Sequence, residues 1–279
     1  MRPFRHALAT LALLCAPLAA PAQETQIEVD VELLLAVDIS RSMDLEELRI
    51  QRAGYIAALR DPRVHAAITR GQLGRVALSY VEWAGAGKRE QVAKWTLVDG
   101  AEAAVSFAES LTFAPIQAAT GTSISDILRW GAADMDRNGF RGLRRVIDVS
   151  GDGPNNTGPA VTAMRDRAVA QGIAINGLPL MMKAYDGPFS LRDLDVYYED
   201  CVIGGHNAFV LPVWDMEDFA ETIRRKLILE IANLAPPQPP RVIPAQLGLG
   251  ALNPPQPRVD CLIGEKLRER WMREGGWEW

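Results

Sequence analysis

Three short segments place oxygen-bearing side chains where they could hold a hard cation. Asp38-Ile39-Ser40-Arg41-Ser42 follows an apolar run of strand length, Val31 to Val37. Thr122, within Gly121-Thr122-Ser123, precedes a helix-patterned stretch, and Asp152 follows a second apolar run, Arg145 to Val149. In open α/β sheets ligands bind beyond the carboxyl ends of the strands, so residues at those ends take the first functional reading. Carboxylates and hydroxyls without a neighbouring cysteine or histidine suit Mg²⁺, with Mn²⁺ and Ca²⁺ as alternatives, because hard cations prefer oxygen ligands. Each piece alone has an ordinary explanation: Ser and Thr before a helix are usually caps, and Asp-Gly after a strand is usually a turn. Their joint position at strand ends and helix starts of one sheet is what points to a divalent-cation site.

Two further residues belong to the same neighbourhood. Arg41 places a permanent positive charge between the loop serines, where it either attracts an acidic ligand or simply reaches solvent. Asp148 is a carboxylate in an apolar strand, read either as support for the metal loops or as a side chain bonded to nearby backbone.

Apolar runs of strand length alternate with amphipathic stretches, the rhythm of a sheet with helices on both faces. Strands are expected at Val31 to Val37, Arg75 to Trp83, Gln91 to Leu97, Arg145 to Val149, Ile173 to Leu180 and Ala208 to Val213. The short connection through Gly85, Gly87 and Lys88 predicts a hairpin and hence an antiparallel edge strand. Asp44 with Glu47 three residues on predicts a capped helix, ended by Asp61-Pro62. Further helices are expected near Ala101 to Leu111, after Ser123, near Pro159 to Gln171, and after a cap at Asp215. The fold class is therefore α/β, a doubly wound, mostly parallel six-stranded sheet. Asp186 to Asp200 reads as an irregular acidic insertion.

The chain has 279 residues, 48% hydrophobic and 23% charged, with Lys and Arg at 30 against Asp and Glu at 35. An acidic surface does not favour nucleic acid or anionic lipid. Arg2 and Arg5 precede an apolar run from Ala7 to Ala20, and Ala20-Pro21-Ala22 offers a cleavage site. Residues 1–22 are thus expected to be a signal peptide, giving a periplasmic or secreted protein without a transmembrane segment. In that oxidising compartment Cys201 and Cys261 are expected to form a disulfide, the alternative being two buried thiols. Residues 23–234 form the expected domain, and 235–279 a proline-rich arm followed by a short aromatic tail. In that tail Ile263, Leu267 and Trp271 recur at helical spacing before Trp277 and Trp279. This segment is either a docking helix for a partner or membrane, or a helix packed on the domain.

Taken together, Asp38, Ser40 and Ser42, then Thr122, then Asp152 before Gly153, resemble the von Willebrand factor A (vWA) domain with its metal-ion-dependent adhesion site (MIDAS). The resemblance spans residues 31 to about 233 and implies a Rossmann-like vWA fold. It also implies that Ser40, Ser42 and Thr122 touch the ion, that Asp38 and Asp152 act largely through water, and that a partner protein supplies an Asp or Glu to an open position. Val146 to Asn156 and Tyr198 to Gly205 resemble a bacterial exported branch of that superfamily of unknown function (DUF1194-like). The expected role is adhesion without catalysis. The alternatives are a metal-dependent phosphatase-like hydrolase with Asp38 as nucleophile, or a scaffold with an unoccupied site. The hydrolase would need a second acid where Ser40 stands and a lysine before Lys88. A serine hydrolase is disfavoured because, past the leader, the histidines are only His65 and His206 and no Gly-x-Ser-x-Gly exists.

Overall fold

Strand β1, Ile27–Asp38, is the centre of the sheet, and its sequence shows why. Val31, Leu33, Leu35 and Val37 enter one apolar core while Leu34 and Ala36 enter the other. A strand covered on both faces needs apolar residues at successive positions rather than in alternation. Glu32 interrupts the run and is buried. Its carboxylate accepts hydrogen bonds from Gly142 N at 2.7 Å and Asn138 Nδ2 at 2.5 Å. Burial pushes its pKa up despite these bonds.

The computed structural model describes residues 26–182, 187–236 and 258–276. The leader at 1–22, most of the proline-rich arm, and Trp277 and Trp279 lie outside them. The remaining strands are β2 (Val76–Trp83), β3 (Arg89–Val98), β4 (Phe140–Gly151) and β5 (Ile173–Pro179), in the order β3-β2-β1-β4-β5. All neighbours are parallel except β3, which returns antiparallel to β2 at the edge, as the short Gly85–Lys88 connection predicts. Helices α1 (Leu45–Leu59), α2 (Pro62–Thr69), α3 (Ala101–Thr112) and α7 (Phe219–Ile231) pack on one face. Helices α4 (Ile124–Met135), α5 (Val161–Ala170) and α6 (Leu194–Tyr197) pack on the other.

Among the described residues the sheet has five strands, not six. The segment expected as a sixth, Ala208 to Val213, runs beside β5 but pairs only at isolated bridges, Gly177 with Val210 and Leu180 with Val213. Two features break the ladder: Pro179 of β5 has no N–H to donate to the Leu211 carbonyl between the two bridges, and the Phe209 N–H is taken by the Asn176 side chain at 3.1 Å.

Local chemistry explains other boundaries. Asp44 and Glu47 form both halves of a capping box on α1. Asp61-Pro62 ends α1 and also begins α2, with Asp61 as cap and proline in its first turn. Asp215 does not cap α7, which begins three residues later than expected, after Asp218. The acidic insertion is partly regular, with α6 followed by a π-turn at Tyr198–Val202.

Cys201 and Cys261 are joined by a disulfide that closes a 60-residue separation. The bond ties a C-terminal helix, α8 (Ile263–Arg273), to the π-turn, and Val259, Cys261 and Ile263 pack on the second core. Arg258 supports the junction with ion pairs to Glu199 and Asp200. From chain entropy such a loop contributes about 4 kcal/mol. Changing both cysteines to serine should lower the unfolding free energy by about that amount, measured by urea denaturation, and should abolish the parent's response to dithiothreitol.

Candidate metal centre

β1 delivers Asp38 to the carboxyl edge of the sheet, and the loop after it folds back onto that carboxylate. Asp38 Oδ1 accepts from Ser40 N at 2.8 Å, and Oδ2 from Ser40 Oγ at 3.0 Å. From α1, Gln51 Nε2 donates to the Asp38 carbonyl at 3.0 Å. Asp38 is fully buried and Ser40 nearly so, whereas Ser42 is exposed. The loop thus presents an outward gradient from carboxylate to hydroxyl to solvent.

β4, the neighbour of β1, delivers Asp152 just past its end. Its Oδ1 lies 2.7 Å from Ser42 Oγ and 3.5 Å from Ser40 Oγ, and the two serine oxygens are 2.8 Å apart. Oxygens bound at about 2.0–2.1 Å to octahedral Mg²⁺ lie about 2.9 Å from each other along an edge. The Ser40–Ser42 edge therefore has the length of one edge of a hard-cation shell, with the Asp152 carboxylate in hydrogen-bond reach of Ser42.

Thr122 arrives from a third direction and is held from both sides. Its N–H donates to Asn156 Oδ1 at 2.9 Å, and its carbonyl accepts from Asn156 N at 2.9 Å. The loop before it is stitched to the Asp38 loop by Arg41 N to Ala119 O and Ala119 N to Ile39 O, both at 2.9 Å. Gly121 has φ +80°, a left-handed conformation that favours glycine, and it passes close to Gly85. Ser40, Ser42, Thr122 and Asp152 line one cleft, together with Arg41 and Lys88.

The structure thus brings all five sequence-predicted oxygen donors to one edge of the sheet. It places Asp148 elsewhere. That carboxylate is buried in β4 and ion-paired with Lys226 of α7. Among the described residues no three His, Cys, Asp or Glu side chains gather as a metal cluster.

A family described as protein of unknown function (DUF1194) matches residues 28–235. The chain belongs to this family. Its fold is of the vWA type. Proximal thread matrix protein 1 from the mussel byssus superposes with TM-score 0.55 at 11% identity, covering 74% of this chain and 49% of that one. A form of the same mussel protein with a zinc-occupied MIDAS motif gives TM-score 0.52 at 12% identity, over 74% and 49%. The pilus adhesin SpaC from Lactobacillus rhamnosus GG, in its open conformation, gives 0.54 at 14% identity, over 75% and 31%. The chain spans half or less of each of these structures, and at such identities the likeness concerns the fold. Comparison with curated proteins finds no match.

In this DUF1194 chain several supporting residues escape a reading by motif. Asn156 holds Thr122, while Asn155 Oδ1 accepts from Ser125 N at 2.9 Å and its Nδ2 donates to Glu265 of α8 at 2.7 Å. The run Asp152-Gly153-Pro154-Asn155-Asn156 is visible as a motif, but which amide meets which loop depends on the fold. Gly151 is the close approach at the site: a Cβ there would lie 2.9 Å from both Asp38 Oδ2 and Tyr198 Oη. Tyr198 is fully buried, and desolvation first, then the Asp38 charge, push its pKa well up. It therefore stays a neutral phenol against the inner wall of the site.

Proposed function

We propose that this chain is an exported binding module that holds a divalent cation at Asp38, Ser40, Ser42, Thr122 and Asp152 and captures through it an Asp or Glu of a protein partner. The observation that carries the reading is the convergence of Ser40, Ser42 and Asp152 oxygens within 2.7–3.5 Å from loops more than a hundred residues apart. Ser40, Ser42 and Thr122 would be direct ligands. Asp38, behind Ser40, and Asp152 would fix those hydroxyls and ordered water and balance charge. A cation dressed mainly by neutral hydroxyls remains electrophilic, so a carboxylate from outside gains a strong charge-assisted contact. Arg41, exposed at the rim of the cleft, adds a favourable field for that carboxylate.

Non-enzymatic binding is favoured over the phosphatase-like alternative by the state of Asp38. A nucleophile must present a lone pair to substrate, whereas this carboxylate is fully buried and both its oxygens accept from Ser40. Export is supported by the leader's pattern and by the disulfide, which persists in oxidising compartments. Among the described residues no helix is long and apolar enough to cross a membrane.

Calorimetric titration of Mg²⁺ and Mn²⁺ into the metal-stripped chain tests the reading. The parent should bind one ion, and Asp38→Ala or Asp152→Ala should weaken it by about 10–100-fold with circular dichroism unchanged. A parent that binds neither ion would leave the domain a scaffold with an unoccupied site. Hydrolysis of p-nitrophenyl phosphate that disappears in Asp38→Ala would turn the assignment to the hydrolase.

A further inference from the structure

The metal face occupies only one end of its cleft. The whole cleft measures about 920 Å³, far more than one carboxylate side chain fills and near the upper end for a ligand pocket. The rest of its lining includes an apolar group: Leu180, Met181, Phe189 and Leu191, with Trp271 and Met272 of α8. Phe189 and Trp271 meet edge to face with ring centroids 5.7 Å apart, so α8 and the Phe189 segment touch there.

Helix α8 is built into this position. Beyond the disulfide, Gly264 seats its first turn directly on the loop after Asp152: a Cβ there would lie 2.0 Å from the Asn155 carbonyl oxygen. Glu265 Oε1 accepts from Asn155 Nδ2 at 2.7 Å, while its Oε2 is buried and has no hydrogen-bond partner among the described residues. A buried carboxylate oxygen beside an open cleft calls for a donor from whatever fills the cleft. Met272 stays half exposed there.

We propose that the cleft binds an extended peptide segment of the partner in which the acidic residue has a bulky apolar side chain one to three positions away. This rests on the cation-binding reading above. The acidic side chain goes to the Ser40, Ser42 and Asp152 face. The apolar side chain lies on the Phe189–Trp271 pair, against the half-exposed Met272. A backbone N–H between them satisfies Glu265 Oε2. Charge fits the same direction, since Arg41 and Lys88 stand at the metal end, whereas Glu265 and Glu269 stand along α8 with Arg268. A small carboxylate would leave the apolar end empty, and a lipid would offer Glu265 no N–H.

The test pans a displayed library of random heptapeptides with a fixed central Asp against the full exported chain loaded with Mn²⁺, and measures the selected peptides by calorimetry. Selection of Leu, Met, Phe or Trp within three positions of the Asp is expected. Met272→Asp and Trp271→Ala, both outside the metal shell, should each weaken the selected peptides at least tenfold while Mn²⁺ affinity stays that of the parent. Asp peptides enriched without apolar preference, no peptide selected although Mn²⁺ binds, or unchanged affinity in both variants would overturn the proposal. Absence of Mn²⁺ binding in the parent would instead remove the cation reading and this inference with it.

Discussion

Lys226→Met should lower the unfolding free energy by about 3–5 kcal/mol, the usual cost of removing one partner from a buried ion pair. Lys226 lies in α7 at 1% exposure, and its ammonium is ion-paired with both Asp148 of β4 and Glu230 one turn along the helix. Asn176 Nδ2 of β5 adds a hydrogen bond to Glu230 Oε1 at 2.9 Å, and the Phe209 ring lies 5.5 Å from the ammonium. Without Lys226 two carboxylates would face each other without their shared ammonium in a dry interior.

Two carboxylates on one ammonium also carry a pH signature. Burial first, then the charge of Asp148, push the Glu230 pKa up to about 7, and burial raises Asp148 as well. A carboxyl group whose pKa is higher folded than unfolded binds its proton more tightly in the native state. Its stabilising contribution is complete below the unfolded value near 4.5 and is lost as pH rises through about 7. At about 1.4 kcal/mol per pKa unit this loss approaches about 3 kcal/mol across the window. Tyr55 from α1, near Asp148, stays neutral because burial pushes its pKa well up, and Arg144 donates to the Glu230 carbonyl rather than its carboxylate. Urea denaturation at pH 5 and pH 8 should show the parent losing stability toward pH 8 by more than Glu230→Gln does. Equal pH slopes in the two proteins would refute the assignment.

Arg52→Met should have a comparable effect on stability and a second effect on the metal site. Arg52, in α1 and 4% exposed, donates through Nε and Nη2 to Glu82 Oε1 of β2 at 2.9 and 2.6 Å. Its Nη1 and Nη2 also hold the carbonyls of Ala114 and Pro115 at 2.5 and 3.2 Å. The change leaves Glu82, whose pKa burial already raises, without its cation, for a loss of about 3–5 kcal/mol. The carbonyls belong to the loop that runs through Ala119 to Thr122. Slackening that loop should weaken Mn²⁺ binding by about 10–100-fold, as loss of outer support for a metal ligand commonly does. Lost stability with unchanged Mn²⁺ affinity would show that Arg52 supports the core and not the site.

The sequence made the sheet and the oxygen-bearing residues at its strand ends legible for the same reason. Strands covered on both faces must be continuously apolar, so Val31 to Val37 and Arg145 to Val149 stand out, and the residues just past each run must lie at the carboxyl edge. Hydroxyl and carboxylate spacing within Asp38 to Ser42 is local, and local geometry follows from local sequence. The sixth strand failed in part on a tertiary competitor: nothing in Ala208 to Val213 shows that Asn176, more than thirty residues away, takes the Phe209 N–H.

The sequence alone therefore determined the α/β class of fold, the antiparallel edge, the capping of α1, and which oxygen-bearing side chains stand at the strand ends, while the vWA type came from the family resemblance. Only the tertiary structure decided that Asp148 serves a buried pair with Lys226, that Arg52 braces the Thr122 loop, and that α8 walls the cleft beside Asp152. Periodicity and spacing encode contacts between near neighbours in the chain. A buried lysine, an arginine clamp or a docked C-terminal helix depends on which distant groups share a low-dielectric interior. That choice is made by packing the whole chain at once.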